Sequence, residues 1–348
     1  MSKRRALITG ISGQDGAYLS KLLLGKGYAV FGLDLPGTKI LRLPKGDDLD
    51  PHIEISQGSV ADAAFVKDTI RRIAPHEIYH LAGRSHVGQS FETPTEAVEI
   101  NAVGTMNVLD ALGAFDADDR PRVMLASSCE IFGLGDGTPM NEETPLDPQS
   151  PYGLSKELAL KAGRQARELY GLHLSNGIFF NHESPLRAPD YVTRKISMAV
   201  AAIEAGLESE IRLGSLEAKR DWGHAADFAE GMWLMLQQAA GDDYVFATGE
   251  TRSVREFVEI AFAETGRRVT WRGEGVLETG VDAATGQELV RVNPKYFRPN
   301  EVPVRVGDAR KAQEVLGWQP RIGFGKLVAE MIEADQLIVA ETNMPLPR

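Results

Sequence analysis

Short apolar or alternating runs are separated by longer stretches of helical periodicity through the first half of the chain. Residues 6–9, 29–33, 52–57, 77–81 and 123–126 read as strands. Between them, residues 18–24, 61–73 and 95–114 place apolar side chains three and four positions apart, the spacing of a helix with one buried face. Strands alternating with helices predict an α/β fold with a doubly wound parallel sheet, helices on both faces. Beyond about residue 180 the alternation loosens. Pro185, Pro189, Pro294, Pro299 and Pro303 interrupt the chain. An amphipathic helix over 225–238 leads to a strand over 244–247, and 282–286 has the character of a hairpin turn. The pattern predicts a first domain of residues 1–180 plus about 222–248. A smaller, discontinuous C-terminal domain, expected to hold the substrate, takes 181–221 and 249–348.

Length agrees with two domains, since 348 residues exceed what one core usually serves. The formal charge of −11 argues against a broad nucleic-acid or anionic-membrane footprint, while leaving room for a local basic pocket. Cys129 is the sole cysteine, which excludes an internal disulfide and a cysteine-rich zinc site, and no metal ligand set is expected. No apolar run approaches the ~20 residues that span a bilayer, and a cytoplasmic location is expected.

The first strand ends at Gly10, and the loop from it into the first helix carries Gly10, Gly13 and Gly16, a G-x-x-G-x-x-G that encloses Gln14 and Asp15. Glycines at these steps allow a tight turn and close backbone approach to a pyrophosphate, beside the partial positive charge of a helix N-terminus. This makes the sheet Rossmann-type. Asp34 ends the second strand, where a carboxylate bonds the adenosine ribose and repels a 2′-phosphate, so NAD is favoured over NADP. Arg42 is the nearby cation that would accommodate NADP instead.

Tyr152 and Lys156 form Y-x-x-x-K, which on a helix places both on one face. An ammonium near a phenol favours the phenolate and equips Tyr152 for acid–base work on an alcohol. A second match joins Tyr191 and Lys195. Only Tyr152 is preceded by a hydroxyl pair, Ser127 and Ser128, at the C-terminal end of a strand, where open α/β sheets bind ligands. Glu130 follows that strand and is placed to act as a general base.

These residues resemble the extended short-chain dehydrogenase/reductases and, among them, the GDP-mannose 4,6-dehydratase family. The resemblance runs to about Asp335. It rests on the glycine loop, on Ser85-His86-Val87, on Asn181-His182-Glu183-Ser184-Pro185 and on Val192-Thr193-Arg194-Lys195-Ile196. Arg220-Asp221-Trp222-Gly223-His224 and Tyr296-Phe297-Arg298-Pro299 extend it. It implies a lyase that oxidises the sugar at C4, removes the C5 proton, expels water from C6 and returns hydride to C6. Ser128, Glu130, Tyr152 and Lys156 would be catalytic, with Lys156 and Tyr152 also at the cofactor. Ser85, Asn181, Lys195, Arg220, Arg298 and Glu301 would bind the nucleotide-diphosphate sugar. The chain departs from the family pattern in Asp34-Leu35-Pro36-Gly37, where an arginine pair is usual, and in Cys129 and Phe132 for the usual Ser and Tyr. A homo-oligomer, dimer or tetramer, is expected. An epimerase or 4-ketoreductase of the same family needs Ser128, Tyr152 and Lys156 but not Glu130. A catalytically silent binding protein should have lost Tyr152 or Lys156.

Overall fold

The computed structural model describes residues 3–41, 53–297, 304–342 and 344. Arg42, Arg298 and Glu301 lie outside the described residues.

In chain order, β1 (Arg5–Thr9), α1 (Gln14–Gly25), β2 (Ala29–Asp34), β3 (Glu54–Gln57), α2 (Ala63–Ile73) and β4 (Glu77–His80) open the structure. Three short helices follow, α3 (Val87–Ser90), α4 (Pro94–Val98) and α5 (Gly104–Ala111), the last two joined by a π-helical turn at Glu99–Val103. Then come β5 (Arg122–Ser128), α6 (Pro151–Tyr170) and β6 (Leu174–Phe179). The chain leaves the main sheet through β7 (Asn181–Glu183), α7 (Val192–Glu204), β8 (Ile211–Leu213), β9 (Lys219–Arg220) and β10 (Trp222–His224). It returns with α8 (Ala225–Met235) and β11 (Asp243–Phe246). The remainder is β12 (Arg252–Ser253), α9 (Val254–Ala263), β13 (Val269–Arg272), β14 (Thr279–Asp282), β15 (Glu288–Val292), α10 (Arg310–Leu316) and α11 (Phe324–Thr342).

The main sheet has seven strands in the order β11-β6-β5-β4-β1-β2-β3, and every pair is parallel. Its inner strands β1, β4 and β5 are largely buried because both faces are covered, whereas the edge strand β3 is partly exposed. Leu19, Leu23, Phe228, Met232, Phe246 and Trp318 belong to the core in which α1 and α8 pack. Val66, Ile70, Val108 and Leu112 belong to the core that α2 and α5 form with Leu7, Ile78 and Val123 of the sheet. Each such side chain contributes about 1.5–3 kcal/mol on full burial. A separate four-stranded sheet, β13-β14-β15-β8, packs its own core from Ile196, Val200, Phe257, Leu289, Leu327 and Met331. The turn expected over 282–286 joins β14 to β15, an antiparallel pair.

β6 was not separable in the sequence. Its run Leu174–Phe179 carries Ser175, Asn176 and Gly177, yet all six residues are buried. The polar pair is accommodated because Ser175 accepts the Asp242 N–H and Asn176 donates to Asp243. Among the described residues, no helix is long and apolar enough to cross a membrane.

Candidate active site

The C-terminal ends of β1, β2, β4 and β5 open onto one cleft of about 760 Å³. On its floor is the glycine loop. Gly10 has φ +70°, and a Cβ there would lie 2.8 Å from the Ala82 backbone. At Gly16 a Cβ would lie 2.3 Å from the Ile11 carbonyl oxygen, so both positions hold glycine for close backbone packing. The N-terminus of α1 at Gly13 has no side-chain cap. Asp34 closes the loop from β2: its Oδ2 accepts the Ser12 N–H at 2.8 Å and its Oδ1 the Leu35 N–H at 2.8 Å. Gln14 and Asp15 also border the cleft, but their side chains are committed to the chain after β6. Gln14 accepts from Ser184 at 2.7 Å and donates to the His182 carbonyl at 3.1 Å. Asp15 pairs with His182 at 2.9 Å. These contacts tie the glycine loop to the Asn181-His182-Glu183-Ser184 run.

The opposite wall is built by β5 and the start of α6. Ser150 caps α6 by accepting the Gly153 N–H at 3.0 Å, and Pro151 occupies its first turn. The Tyr152 N–H donates to Ser90 at 3.2 Å, and Asn101 donates to Ser155 at 2.8 Å, so the first turn is held from behind. Tyr152 and Lys156 are both buried and both border the cleft with Ser128 and Glu130. Lys156 donates to the Ala126 carbonyl at 2.9 Å, and its ammonium lies 6.0 Å from the Tyr152 ring centre. Burial pushes the Lys156 amine down to about 8 and holds the Tyr152 phenol well above its ordinary value; Ser128, bonding the phenol, works the other way. The Ser128 hydroxyl also accepts the Glu130 N–H at 3.3 Å, which starts the 3₁₀ turn Cys129–Phe132.

Glu130 does not stand free in this wall. Its Oε1 accepts a hydrogen bond from Arg305, whose guanidinium also reaches the Cys129 thiol. Arg305 is 8% exposed. The sequence offered only an alternating Val304-Arg305-Val306 run, and nothing local marks a residue 175 positions from its partner.

Of the expected substrate residues, Ser85 and Asn181 border the main cleft. Lys195 borders a separate depression of about 440 Å³ with Tyr296, its ammonium 5.1 Å from that ring. Arg220, on β9, lies within electrostatic reach of Cys129. The sequence assigns Tyr191 no hydroxyl partner, but the structure provides one. Tyr191 borders the same cleft as Tyr152 and exchanges a hydrogen bond with Ser85 at 2.9 Å. Arg187, which no motif indicated, lies 3.5 Å over the Tyr191 ring and is held by Glu183 at 3.0 Å.

Residues 7–331 match the family model described as GDP-mannose 4,6 dehydratase. The chain belongs to the GDP-mannose 4,6-dehydratase family. It is 45% identical over 339 residues to a GDP-mannose 4,6-dehydratase of Sinorhizobium fredii, spanning 96% of this chain and 97% of that one. A Drosophila melanogaster GDP-mannose 4,6 dehydratase is likewise 45% identical, over 95% of this chain and 85% of its own. The fold also matches a Thermus thermophilus UDP-glucose 4-epimerase solved with NAD, at TM-score 0.78 and 24% identity, over 95% of this chain and 99% of that one. Ser128, Glu130, Tyr152 and Lys156 border the same cleft.

Proposed function

We propose that this chain is a nucleotide-sugar 4,6-dehydratase that converts GDP-mannose to its 4-keto-6-deoxy derivative. The observation that carries the reading is the shared wall of Ser128, Glu130, Tyr152 and Lys156. Family membership supports the same reading.

The residues around the glycine loop fit a dinucleotide. Gly10 adopts a left-handed conformation, the N-terminus of α1 lacks a side-chain cap, and Asp34 lies at the end of β2. Asp34 supports NAD, since its carboxylate repels a 2′-phosphate. The chemistry that the nicotinamide supplies when bound is reversible acceptance of a hydride. Lys156, at about 8, keeps most of its charge at neutral pH and offsets the developing charge on Tyr152. Ionised to the phenolate beside the Lys156 ammonium, Tyr152 takes the C4 hydroxyl proton while Ser128 hydrogen-bonds the C4 oxygen. The resulting 4-keto group acidifies C5–H. Glu130 removes that proton, and the C6 hydroxyl takes up the equivalent of the proton that Tyr152 removed from O4 and leaves as water. After hydride returns to C6, Glu130 gives a proton back to C5. The net change is loss of one water with no net oxidation. Asn181 and Arg187 suit the diphosphate, one as a neutral donor and the other as a fixed cation in the cleft. We assign the main parallel sheet with α8 and β11 to the cofactor domain and the four-stranded sheet with α7, α9 and α11 to the substrate domain. A cytoplasmic location belongs to the same proposal.

Incubation with a panel of nucleotide sugars tests this, scored by mass for loss of water and by carbonyl trapping for a 4-keto product. GDP-mannose is expected to react fastest. The same preparation, denatured, is expected to release NAD. Recovery of NADP alone would overturn the role given to Asp34.

A further inference from the structure

Glu130 and Arg305 come from distant parts of the chain and meet in a nearly closed setting. Arg305 is clamped on both sides by its own backbone. The Gly137 N–H donates to the Val304 carbonyl at 3.1 Å, and the Met140 N–H donates to the Val306 carbonyl at 2.9 Å. One residue on, the Gly307 N–H donates to Asp221 at 3.2 Å, and Asp308 donates its N–H to the Met140 carbonyl at 2.8 Å. A Cβ on Gly135 would lie 2.4 Å from the Val304 carbonyl oxygen, so the two segments approach as closely as a glycine allows. The guanidinium therefore reaches Glu130 from a fixed platform. Glu130 has no such support of its own, because it projects from a four-residue 3₁₀ turn on a flexible three-torsion side chain.

We propose that Arg305 is a positioning residue for elimination. It holds Oε1 of Glu130 and leaves Oε2 to meet the C5 proton. The inference rests on the dehydratase reading of this site. A buried arginine keeps its charge and offers a planar fork, so it fixes a carboxylate in direction as well as in place. A general base works only within hydrogen-bond reach of its proton, and a misplacement of about 1 Å costs roughly 10²-fold. Oxidation at C4 belongs to Tyr152, Ser128 and Lys156, none of which bonds Arg305. The two halves of the reaction thus separate: loss of Arg305 impairs elimination and spares C4 oxidation.

The test is Arg305→Met, with Arg305→Lys and the double variant with Glu130→Gln. GDP-mannose is mixed with each cofactor-loaded enzyme, and reduced nicotinamide is followed in one turnover beside steady-state release of water. For Arg305→Met, turnover of dehydration is expected to fall roughly 10²-fold, with KM and C4 oxidation each within about threefold of the parent. Arg305→Lys is expected to recover about tenfold of the loss, and adding Arg305→Met to Glu130→Gln is expected to cost nothing more. Equal losses in both half-reactions, a change confined to KM, or no loss at all would each overturn the proposal. Should Arg305→Met fail to fold, Arg305→Lys decides alone, by whether it slows elimination selectively. A parent enzyme that forms no dehydrated product overturns the dehydratase reading together with this inference. A parent that dehydrates beside an unimpaired variant overturns this inference only.

Discussion

Burial moves Tyr152 and Lys156 toward their uncharged forms, the phenol upward and the amine down to about 8. Cys129, beside them, is buried, and its thiol is pushed up to about 11. A thiol so reluctant to ionise is a poor proton source, so the proposed elimination assigns both proton transfers at C5 to Glu130 and none to Cys129. Glu130→Gln keeps the shape and removes the base. It is expected to retain C4 oxidation and to lose ~10²–10⁴-fold in dehydration, read as reduced cofactor without water release. Dehydration near the parent rate would show that another group takes the C5 proton.

Among the elements, α1 and β7 are joined by the Asp15–His182 pair, and this contact carries a pH dependence. Burial alone would pull His182 down, but the charge and hydrogen bond of Asp15 outweigh it and leave the imidazole above its ordinary 6.5. Its contribution is complete below pH 6.5 and is lost as pH rises through the raised value. Asp15 is held below 3.8 against its own burial by the same partner, so its contribution is present above 3.8 and is lost as pH falls through the depressed value. Asp15→Asn is expected to lower the melting temperature by about 2 °C or more at about pH 6, and by less at about pH 8.5. An equal loss at both pH values would assign the effect to packing. The strands β1 to β5 and β11 were legible in the sequence because a doubly covered sheet demands apolar runs. β6 was hidden because its polar Ser175 and Asn176 are buried with hydrogen bonds to Asp242 and Asp243, some 67 residues away. The helical stretch over 95–114 was legible too, although a π-helical turn divides it. The meeting of Ser128, Glu130, Tyr152 and Lys156 at one cleft was readable because strand ends and i, i+4 spacing are local. Arg305, Arg187 and the Ser85–Tyr191 bond depend on tertiary contacts that no local pattern records.

For the whole molecule, the expected homo-oligomer turns on one exposed apolar face. Met106 and Leu158 border one shallow depression while 42% and 38% exposed, and Val103 and Leu154 follow at helical spacing, 40% and 45% exposed. We propose that this face pairs with a second copy of the chain, since four apolar side chains on adjoining helices favour burial. Leu158→Glu is expected to shift sedimentation from dimer or larger to monomer, with the fold retained; a parent that sediments as a monomer would contradict this. In the proposed reaction the hydride taken from C4 is returned to C6 within a single active site. GDP-mannose carrying deuterium at C4 tests it most directly, with the product analysed by mass and by NMR. The expected result is a 4-keto product that has lost water and carries the label at C6. A product that retains its water, with the label back at C4, would contradict it and place the chain among the epimerases.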